Sequence, residues 1–227
     1  SSVRGVLLAG QGLQFFSNAG GNVFESNWVG IDTSGSAPNP WGGTDVSSLN
    51  AQTTFGGTGS GAGNLFAGDS QLSSNSDADV IQGNLFGTDS SGTMAVGSPG
   101  FQQPVGLNGD NAVFGGSSAG ARNVVSGNER THGVAVSASG VLIQGNYVGT
   151  DSGGTAALGN NGTGILTQFG ADDVTIGGTA PGAGNVVSAN LRGGISVGGA
   201  GAAVQGNIVC TNTTGRLALA NADFCIA

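Results

Sequence analysis

The stretch IQGNLFGTD, residues 81–89, returns as IQGNYVGTD at residues 143–151 with two of its nine residues changed. Related stretches occur throughout the chain, each with an asparagine followed by two apolar residues and, at the fifth position after it, Asp or Asn. These asparagines are Asn27, Asn64, Asn84, Asn123, Asn146, Asn185 and Asn207. A short pattern that recurs along a chain predicts a stack of similar units, each resting on its neighbour.

The repeats come in two alternating types. The spacings between successive asparagines are 37, 20, 39, 23, 39 and 22 residues, so the mean unit is close to 30. In one type an extra loop follows the asparagine, and in the other a six-residue insert such as TAPGAG precedes it. A second marker, seen in GVAV, GILT and GISV, begins at Gly133, Gly164 and Gly194 and has the same period.

Within each unit, short runs of β-forming residues are separated by Gly, Asn and Asp, and no helical period extends over ten residues. Three short strands joined by tight turns predict one coil of a parallel β-helix. We therefore expect an all-β protein, a single-stranded right-handed parallel β-helix of about seven coils, that forms one domain over residues 1–227. Stacked coils bring equivalent residues into columns, so the repeated asparagines should form a hydrogen-bonded ladder at a bend.

The two apolar residues after each ladder asparagine should face opposite ways, because neighbouring side chains alternate along a strand. The second of them is always Val or Phe and is expected in the core; the first includes Trp28 and Tyr147 and should form an outer apolar stripe. Such a stripe needs a cover. We expect apolar residues of the long inserts to fold back over it. These are Met94, Val96, Leu158, Leu217 and Leu219.

Three segments of the chain resemble the repeats of bacterial secreted and surface right-handed parallel β-helix proteins. They are NVVSGN, GNYVGTDSGGTAALGN and VTIGGTAPGAGNVVSAN. The resemblance covers nearly the whole chain and implies a fold and a repeat. It implies no particular activity, because the wider pectate-lyase-like superfold contains lyases, hydrolases, tailspikes and adhesins.

Composition excludes several partners and favours an extracellular or cell-surface location. The net charge is −8 and the chain has no lysine, which argues against binding to nucleic acid or to anionic membrane surfaces. No apolar run approaches the length of a membrane span. In an acidic repeat protein of surface type, Cys210 and Cys225 are expected to form a disulfide. Asn161 and Asn212 begin sequons, which matter only in a source that glycosylates.

Catalytic residues of a polysaccharide enzyme are the main functional alternative. Asp172 and Asp173 are paired carboxylates and His132 is the one histidine, as a glycoside hydrolase of this superfold would need. However, the repeat alignment places His132 at the start of a strand and the aspartates further round a coil, so they should lie on different faces. We expect turn carboxylates and a surface histidine, and hence no enzyme.

A calcium site is the other candidate. Asp32, Asp69 and Asp89 occupy the fifth position in three consecutive coils and should stack about 5 Å apart. Carboxylates at that spacing repel, and a bound Ca²⁺ ion or raised pKa values would relieve the repulsion. The alternative is that these side chains cap turns, as asparagine does in other coils.

The uniform repeat predicts a structural extracellular protein, namely a filament subunit, stalk or adhesin segment. The sequence opens inside a coil and stops without a capping helix, so coil edges are expected to meet either further coils of a longer rod or neighbouring subunits. Self-association through open coil ends is therefore the expected partnership. The alternative is a polysaccharide lyase or hydrolase, or a tailspike-like glycan binder, which would bind a glycan.

Overall fold

A computed structural model describes residues 1–10, 12–16, 20–39, 42–97, 103–129 and 131–227, and of Phe15 and Phe16 only the backbone. Within these residues the chain forms 24 short strands and one 3₁₀ turn, Ala119–Ala121. The strands are β1 (Ser2–Arg4), β2 (Leu7–Leu8), β3 (Leu13–Phe16), β4 (Asn22–Glu25), β5 (Trp28–Val29), β6 (Asp45–Leu49), β7 (Thr53–Gly56), β8 (Leu65–Phe66), β9 (Gln71–Ser74), β10 (Val80–Gln82), β11 (Leu85–Phe86), β12 (Val105–Leu107), β13 (Val113–Gly115), β14 (Val124–Val125), β15 (Val134–Val136), β16 (Leu142–Gln144), β17 (Tyr147–Val148), β18 (Ile165–Thr167), β19 (Thr175–Gly177), β20 (Val186–Val187), β21 (Gly193–Ser196), β22 (Ala203–Gln205), β23 (Ile208–Val209) and β24 (Phe224–Ile226).

Every third strand joins the same parallel sheet, which is the topology of a β-helix with three faces. Sheet A runs from β1 to β22, sheet B from β2 to β23 and sheet C from β3 to β24, each with eight strands. Three consecutive strands make one coil, so coil 1 is β1–β3 and coil 8 is β22–β24. The all-β parallel solenoid predicted from the repeat is confirmed.

The described residues form eight coils rather than the expected seven. Coil 1 lacks the ladder asparagine that marks the others: the pairing of Leu7 with Trp28 places Val6 where Asn27 stands in coil 2. The backbone N–H of Val6 donates to the Asn27 side-chain oxygen (3.0 Å), so coil 1 stacks on coil 2 without an asparagine of its own. A count of asparagines therefore misses it.

The register places equivalent residues in columns, as the repeat requires. Leu85 pairs with Leu65 on one side and Val124 on the other, and Val124 pairs in turn with Tyr147. The second apolar residue of each unit fills the core, as predicted: five of the seven are fully buried, Phe66 is 1% exposed, and Val209 of the last coil packs against the core while half-exposed.

The core contains a run of phenylalanines in its first half and aliphatic side chains in its second. Phe24, Phe55, Phe66, Phe86 and Phe114 are all 0–1% exposed. The rings of Phe66 and Phe86 stack at 4.9 Å between centroids, close to the spacing of adjacent strands. Burying this apolar column is the main source of stability, because a coil leaves its inner face open to water without neighbours.

Alternate coils carry a hairpin between sheets B and C. We call these hairpins the arms; their turns are residues 32–37, 89–94, 151–156 and 212–217. Each is closed by one antiparallel bridge, such as Thr150 with Ala157. The arms stack on one another over the intervening coils: Ser90 N donates to Gly35 O (2.9 Å), Ser152 N to Gly92 O (2.8 Å) and Thr213 N to Gly154 O (3.0 Å).

Among the residues that the structure describes, no helix has the length and apolar character to cross a membrane.

Candidate functional site

The predicted asparagine ladder is present at the bend between sheets A and B. Asn146 lies between Asn123 and Asn185, as the repeat predicts, and not beside Asn84. The Asn123 Nδ2 donates to Asn146 Oδ1 (3.0 Å), and Asn146 Nδ2 donates to Asn185 Oδ1 (3.0 Å) and to the carbonyl of Phe114 (2.9 Å). The first six ladder asparagines are 0–2% exposed and Asn207 is half-exposed. The side-chain amides thus satisfy buried backbone groups in two coils at once.

A second ladder lies at the bend between sheets B and C, and the sequence analysis missed it. Asn128 Nδ2 donates to Asn160 Oδ1 (2.7 Å), Asn160 Nδ2 to Asn190 Oδ1 (2.9 Å), and Asn190 Nδ2 to Asn221 Oδ1 (3.0 Å). Asn128 and Asn190 stand at the fifth position of their repeats, but Asn160 and Asn221 come after an arm. The signal was the Asn that ends ALGN and ALAN, in each case three residues beyond the alanine of the closing bridge.

Two of the three carboxylates proposed for calcium, Asp32 and Asp89, are used inside the arms. Asp89 Oδ1 accepts from the backbone N–H groups of Thr93 (2.9 Å) and Met94 (3.0 Å), and Ser91 Oγ donates to Asp89 Oδ2 (2.7 Å). Asp32 makes equivalent bonds with Ser34, Ser36 and Ala37. Asp151 and Asn212 repeat the arrangement in the later arms. These are turn-capping side chains, as the alternative interpretation proposed.

The pKa values of Asp32 and Asp89 are lowered, and not raised as repulsion between stacked carboxylates would require. The hydrogen bond from Ser34, with smaller contributions from backbone N–H groups, lowers the pKa of Asp32. Burial acts to raise the pKa of Asp89, but its bonds from Ser91, Met94 and Thr93 together outweigh burial and lower it. Across the described part of the chain, no three His, Cys, Asp or Glu side chains come together as a metal site. Asp32, Asp69 and Asp89 are therefore not gathered into one group of three, and calcium binding by any of them stays a prediction.

The apolar stripe on sheet B is covered by the arms, but by different residues from those expected. Val96 is 4% exposed and packs with Leu65 and Leu85, as predicted. Met94 and Leu217 are 59% and 53% exposed, so their predicted role is wrong. Leu158 and Leu219 are half-buried. The first apolar residue after the ladder asparagine is half-exposed in the arm-bearing coils 2, 4, 6 and 8. In coils 3, 5 and 7 it is buried.

The turn glycines of the arms make the close approach to the stripe. A Cβ on Gly154 would lie 3.0 Å from the Tyr147 ring, and one on Gly35 would lie 3.0 Å from Trp28. The backbone of the turn itself therefore rests on the aromatic ring, which leaves the longer side chains of the insert to point outward. Arg122 covers the same ring, with its guanidinium carbon 4.0 Å from the ring centroid of Tyr147.

The catalytic candidates lie apart, beyond opposite ends of neighbouring strands of sheet C. His132 precedes β15, whereas Asp172 and Asp173 follow β18, which pairs with β15 in register. Asp172 Oδ1 accepts from the backbone N–H of Ala200 (2.8 Å), and Asp173 has a φ of 56° in a corner turn. These carboxylates hold corners of the coils together. The three residues therefore do not form an acid–base pair.

His132 instead lines a groove over the bend between sheets B and C. The groove crosses Gly162 between Thr131 and His132 of coil 5 and Leu191 and Arg192 of coil 7, and its cavity is about 560 Å³. The His132 Nδ1 accepts from the backbone N–H of Thr163 (3.1 Å). Burial, with a smaller effect of the nearby Arg192 charge, lowers the pKa of His132. The imidazole is therefore neutral at pH 7 and its Nδ1 lone pair is in use.

The groove continues along the coils into an apolar half. A second cavity of about 350 Å³ shares Asn161 and Leu191 with the first and is lined also by Ala95, Leu158 and Glu129. In a chain with a net charge of −8, Arg192 gives this surface a local positive charge. The groove is an open, mixed surface, which suits binding rather than enclosed chemistry.

One buried carboxylate was not singled out from the sequence. Asp79, at the bend from sheet C to sheet A, is 0% exposed. Ser48 Oγ and Ser74 Oγ donate to its Oδ2, and the backbone N–H of Thr53 donates to Oδ1 (2.7 Å). Burial raises the pKa of Asp79, although these bonds act against it. This side chain ties coils 2 and 3 together at a single point.

We expect this aspartate to make stability depend on pH. A raised pKa means that the folded chain holds the proton more tightly than the unfolded chain, so the contribution of Asp79 to stability is greatest below the ordinary Asp range. Stability is then lost as pH rises from that range through the raised pKa. Unfolding free energies of the natural chain and Asp79→Asn, measured across that window, should diverge as pH rises. Parallel pH profiles would contradict the prediction.

The predicted disulfide between Cys210 and Cys225 is present, with a Cα–Cα distance of 5.8 Å. It joins the end of sheet B to sheet C in coil 8, across the loop that contains the last arm. The described residues contain no free cysteine. The bond closes a loop of 15 residues and so restricts the unfolded chain.

Removal of this bond in Cys210→Ala/Cys225→Ala is expected to lower the free energy of unfolding by about 3 kcal/mol, the loop-entropy value for this size. Denaturant unfolding with and without reductant measures the effect. The natural chain in reductant should lose a similar amount, and the variant should not respond to reductant. A variant as stable as the oxidised natural chain would show that coil 8 does not need the bond.

Comparison with known proteins identifies no relative: no protein-family model, no curated protein and no solved structure matches this sequence.

Proposed function

We propose that this chain is an extracellular structural repeat protein, a rigid rod segment of a stalk, adhesin or filament. The observation that carries the proposal is the use of its polar side chains. Both asparagine ladders bond from one coil to the next, and the arm turns bond from one arm-bearing coil to the next, along the axis of the stack. Residues arranged in this way stiffen a rod; they do not converge on a substrate.

The disulfide supports the extracellular location, because it suits an oxidising environment. The disulfide persists outside the cytosol and is rare inside it. The absence of lysine, the acidic balance and the resemblance of the repeats to bacterial surface proteins point the same way. Together these features support a rod that stands at a cell surface and spaces or displays other parts of an assembly.

Protease treatment of intact source cells, followed by mass spectrometry of the released peptides, tests the location. Peptides from the exposed loops of this chain should appear without lysis, while those of a cytoplasmic protein should not. If peptides of this chain were released only after lysis, as those of a cytoplasmic protein are, the extracellular proposal would be wrong. Mechanical function is tested separately by pulling the purified chain: Asn146→Ala should lower the unfolding force, with the half-exposed Asn207→Ala as the matched control.

A glycan-binding role is the second candidate, and the groove beside His132 is the observation that favours it. Arg192 offers a cation for a carboxylate-bearing sugar, and Leu158 and Leu191 offer apolar surface beside it. Titration with uronate oligosaccharides should shift the NMR signals of these residues, and Arg192→Ala should abolish the shifts. Release of unsaturated or reducing ends would favour the enzyme instead, and unchanged spectra would leave the structural role.

Self-association through the coil edges also remains a proposal. Edge strands offer backbone N–H and C=O groups to a second chain, and coils 1 and 8 supply the edges of all three sheets. Sedimentation velocity over a range of concentrations measures it: association predicts a concentration-dependent coefficient, and a constant monomer value would contradict it.

A further inference from the structure

The third position of the repeat differs between coil types in a way that the sequence analysis did not use. In the arm-bearing coils 2, 4 and 6 it is Gly30, Gly87 and Gly149, whose φ values are 69°, 80° and 89°. The equivalent residue of the arm-bearing coil 8 is Cys210, which keeps the left-handed backbone at φ 67°. A non-glycine residue there carries an energetic cost, so its presence in coil 8 needs a reason.

The next coil explains the three glycines. A Cβ on Gly149 would lie 2.1 Å from the carbonyl oxygen of Ser188 in coil 7. A Cβ on Gly87 would lie 2.4 Å from the Ser126 carbonyl oxygen, and one on Gly30 2.4 Å from that of Ala67. In each case the side chain would occupy the place of the following coil. Only glycine allows that coil to pack.

The partner cysteine stands in a similar column. Cys225 follows Gly133, Gly164 and Gly194 in sheet C, in the register set by Ile165, Ile195 and Ile226. A Cβ on Gly164 would lie 2.6 Å from Val187 and 2.7 Å from the Asn190 amide nitrogen, both in the next coil. Cys210 therefore replaces a glycine that the other arm-bearing coils share. Cys225 replaces a glycine found in coils 5–7, whereas Asp45, Gln71 and Pro104 stand in its column in coils 2–4.

The second ladder also ends at the disulfide. In coils 6 and 7, Asn160 Nδ2 and Asn190 Nδ2 donate to the asparagine of the next coil. In coil 8, Asn221 Nδ2 donates to the Val187 carbonyl (3.0 Å) and to Cys210 Sγ (3.3 Å). The sulfur thus accepts, within coil 8, the bond that other ladder residues give to the following coil.

We propose that the side chains at positions 210 and 225, which the disulfide joins, close this edge of the β-helix to further stacking. No additional coil, from this chain or from a second copy, packs on β22–β24 in the register of the interior coils. The inference does not depend on the extracellular location. It excludes the edge formed by β22–β24 from the proposed self-association, and with it head-to-tail contact through coil 8.

A chain extended by two coils tests the proposal. A second copy of residues 167–227 is added directly after Ala227, so that coil 8 must support a copy of coil 7 as coil 6 does in the natural chain. Three versions of the first copy are compared: one with the two natural cysteines, one with C210A/C225A and one with C210G/C225G. The alanine variant keeps both Cβ atoms and lacks the bond, whereas the glycine variant restores the surface of coil 6.

Thermolysin digestion followed by intact mass reports whether the added coils fold. With glycines at both positions, the added coils should be cleaved at least about tenfold more slowly than with cysteines or alanines. With cysteines or alanines, digestion should remove the added coils and leave a product that ends at coil 8. Protection of coils 2–7 in all three versions serves as the internal control. Equal resistance in all versions, or equal sensitivity, would overturn the proposal, since residues 210 and 225 would then not decide stacking.

Discussion

Replacement of Gly149 by alanine is expected to lower the free energy of unfolding by about 2–5 kcal/mol. The methyl group must adopt a φ near 89°, which costs roughly 1–2 kcal/mol for an L-residue. It must also displace the Ser188 carbonyl, 2.1 Å away, and the Asn190 side chain, 2.6 Å away. Overpacking of this kind typically adds about 1–3 kcal/mol. Denaturant unfolding of the two chains measures the difference.

Gly170→Ala is the matched control. Its φ is 86°, but a Cβ there would meet nothing within 4 Å. Only the backbone cost of roughly 1–2 kcal/mol should therefore appear. The difference between the two variants isolates the contact between coils 6 and 7. Equal losses would show that the coils separate easily enough to admit a side chain, which would also weaken the argument about Cys210.

Asn146→Ala should destabilise the fold by about 3 kcal/mol, because it leaves several buried groups without partners. The variant removes the acceptor of Asn123 and the donor to both Asn185 Oδ1 and the Phe114 carbonyl. Water cannot replace these bonds readily, since Asn146 and both neighbours are 0% exposed.

The same change at the half-exposed Asn207 should cost about 1 kcal/mol, because water can reach the groups that it leaves behind. Both variants are compared by chemical denaturation at one pH, with the slope of the unfolding curve as a check on two-state behaviour. If Asn146→Ala costs no more than Asn207→Ala, the ladder would fix the register of the coils without contributing to their stability.

Much of the fold could be predicted from the sequence because each coil is a copy of its neighbour. The ladder through Asn146 and the inward second position both follow from a repeat in which equivalent residues stack. The disulfide was predicted separately, from the acidic, surface-type character of the chain. The eighth coil was missed for the same reason: Val6 stands where the marker asparagine should be, and its backbone alone makes the contact.

The surface was less predictable, because inserts do not share the period of the coils. The second ladder resumes only after the arms, so Asn160 and Asn221 follow their first-ladder asparagines by 14 residues, whereas Asn128 and Asn190 follow theirs by five. Hydrophobicity suggested that Met94 and Leu217 would cover the stripe, yet the cover comes from glycine backbone, whose reach is set by turn geometry. The carboxylates of Asp32 and Asp89 were likewise aligned in sequence but are occupied locally by their own turns.

The stacking of the arms sets the step by which such a rod can lengthen or shorten. Ser90 and Ser152 each bond to the arm two coils before their own, so the loss of a single coil would bring two coils of the same type together and break the column. Coils should therefore be gained or lost in pairs. Natural length variants should differ by about 60 residues, close to the distance between the two copies of IQGN, and by about 10 Å in length.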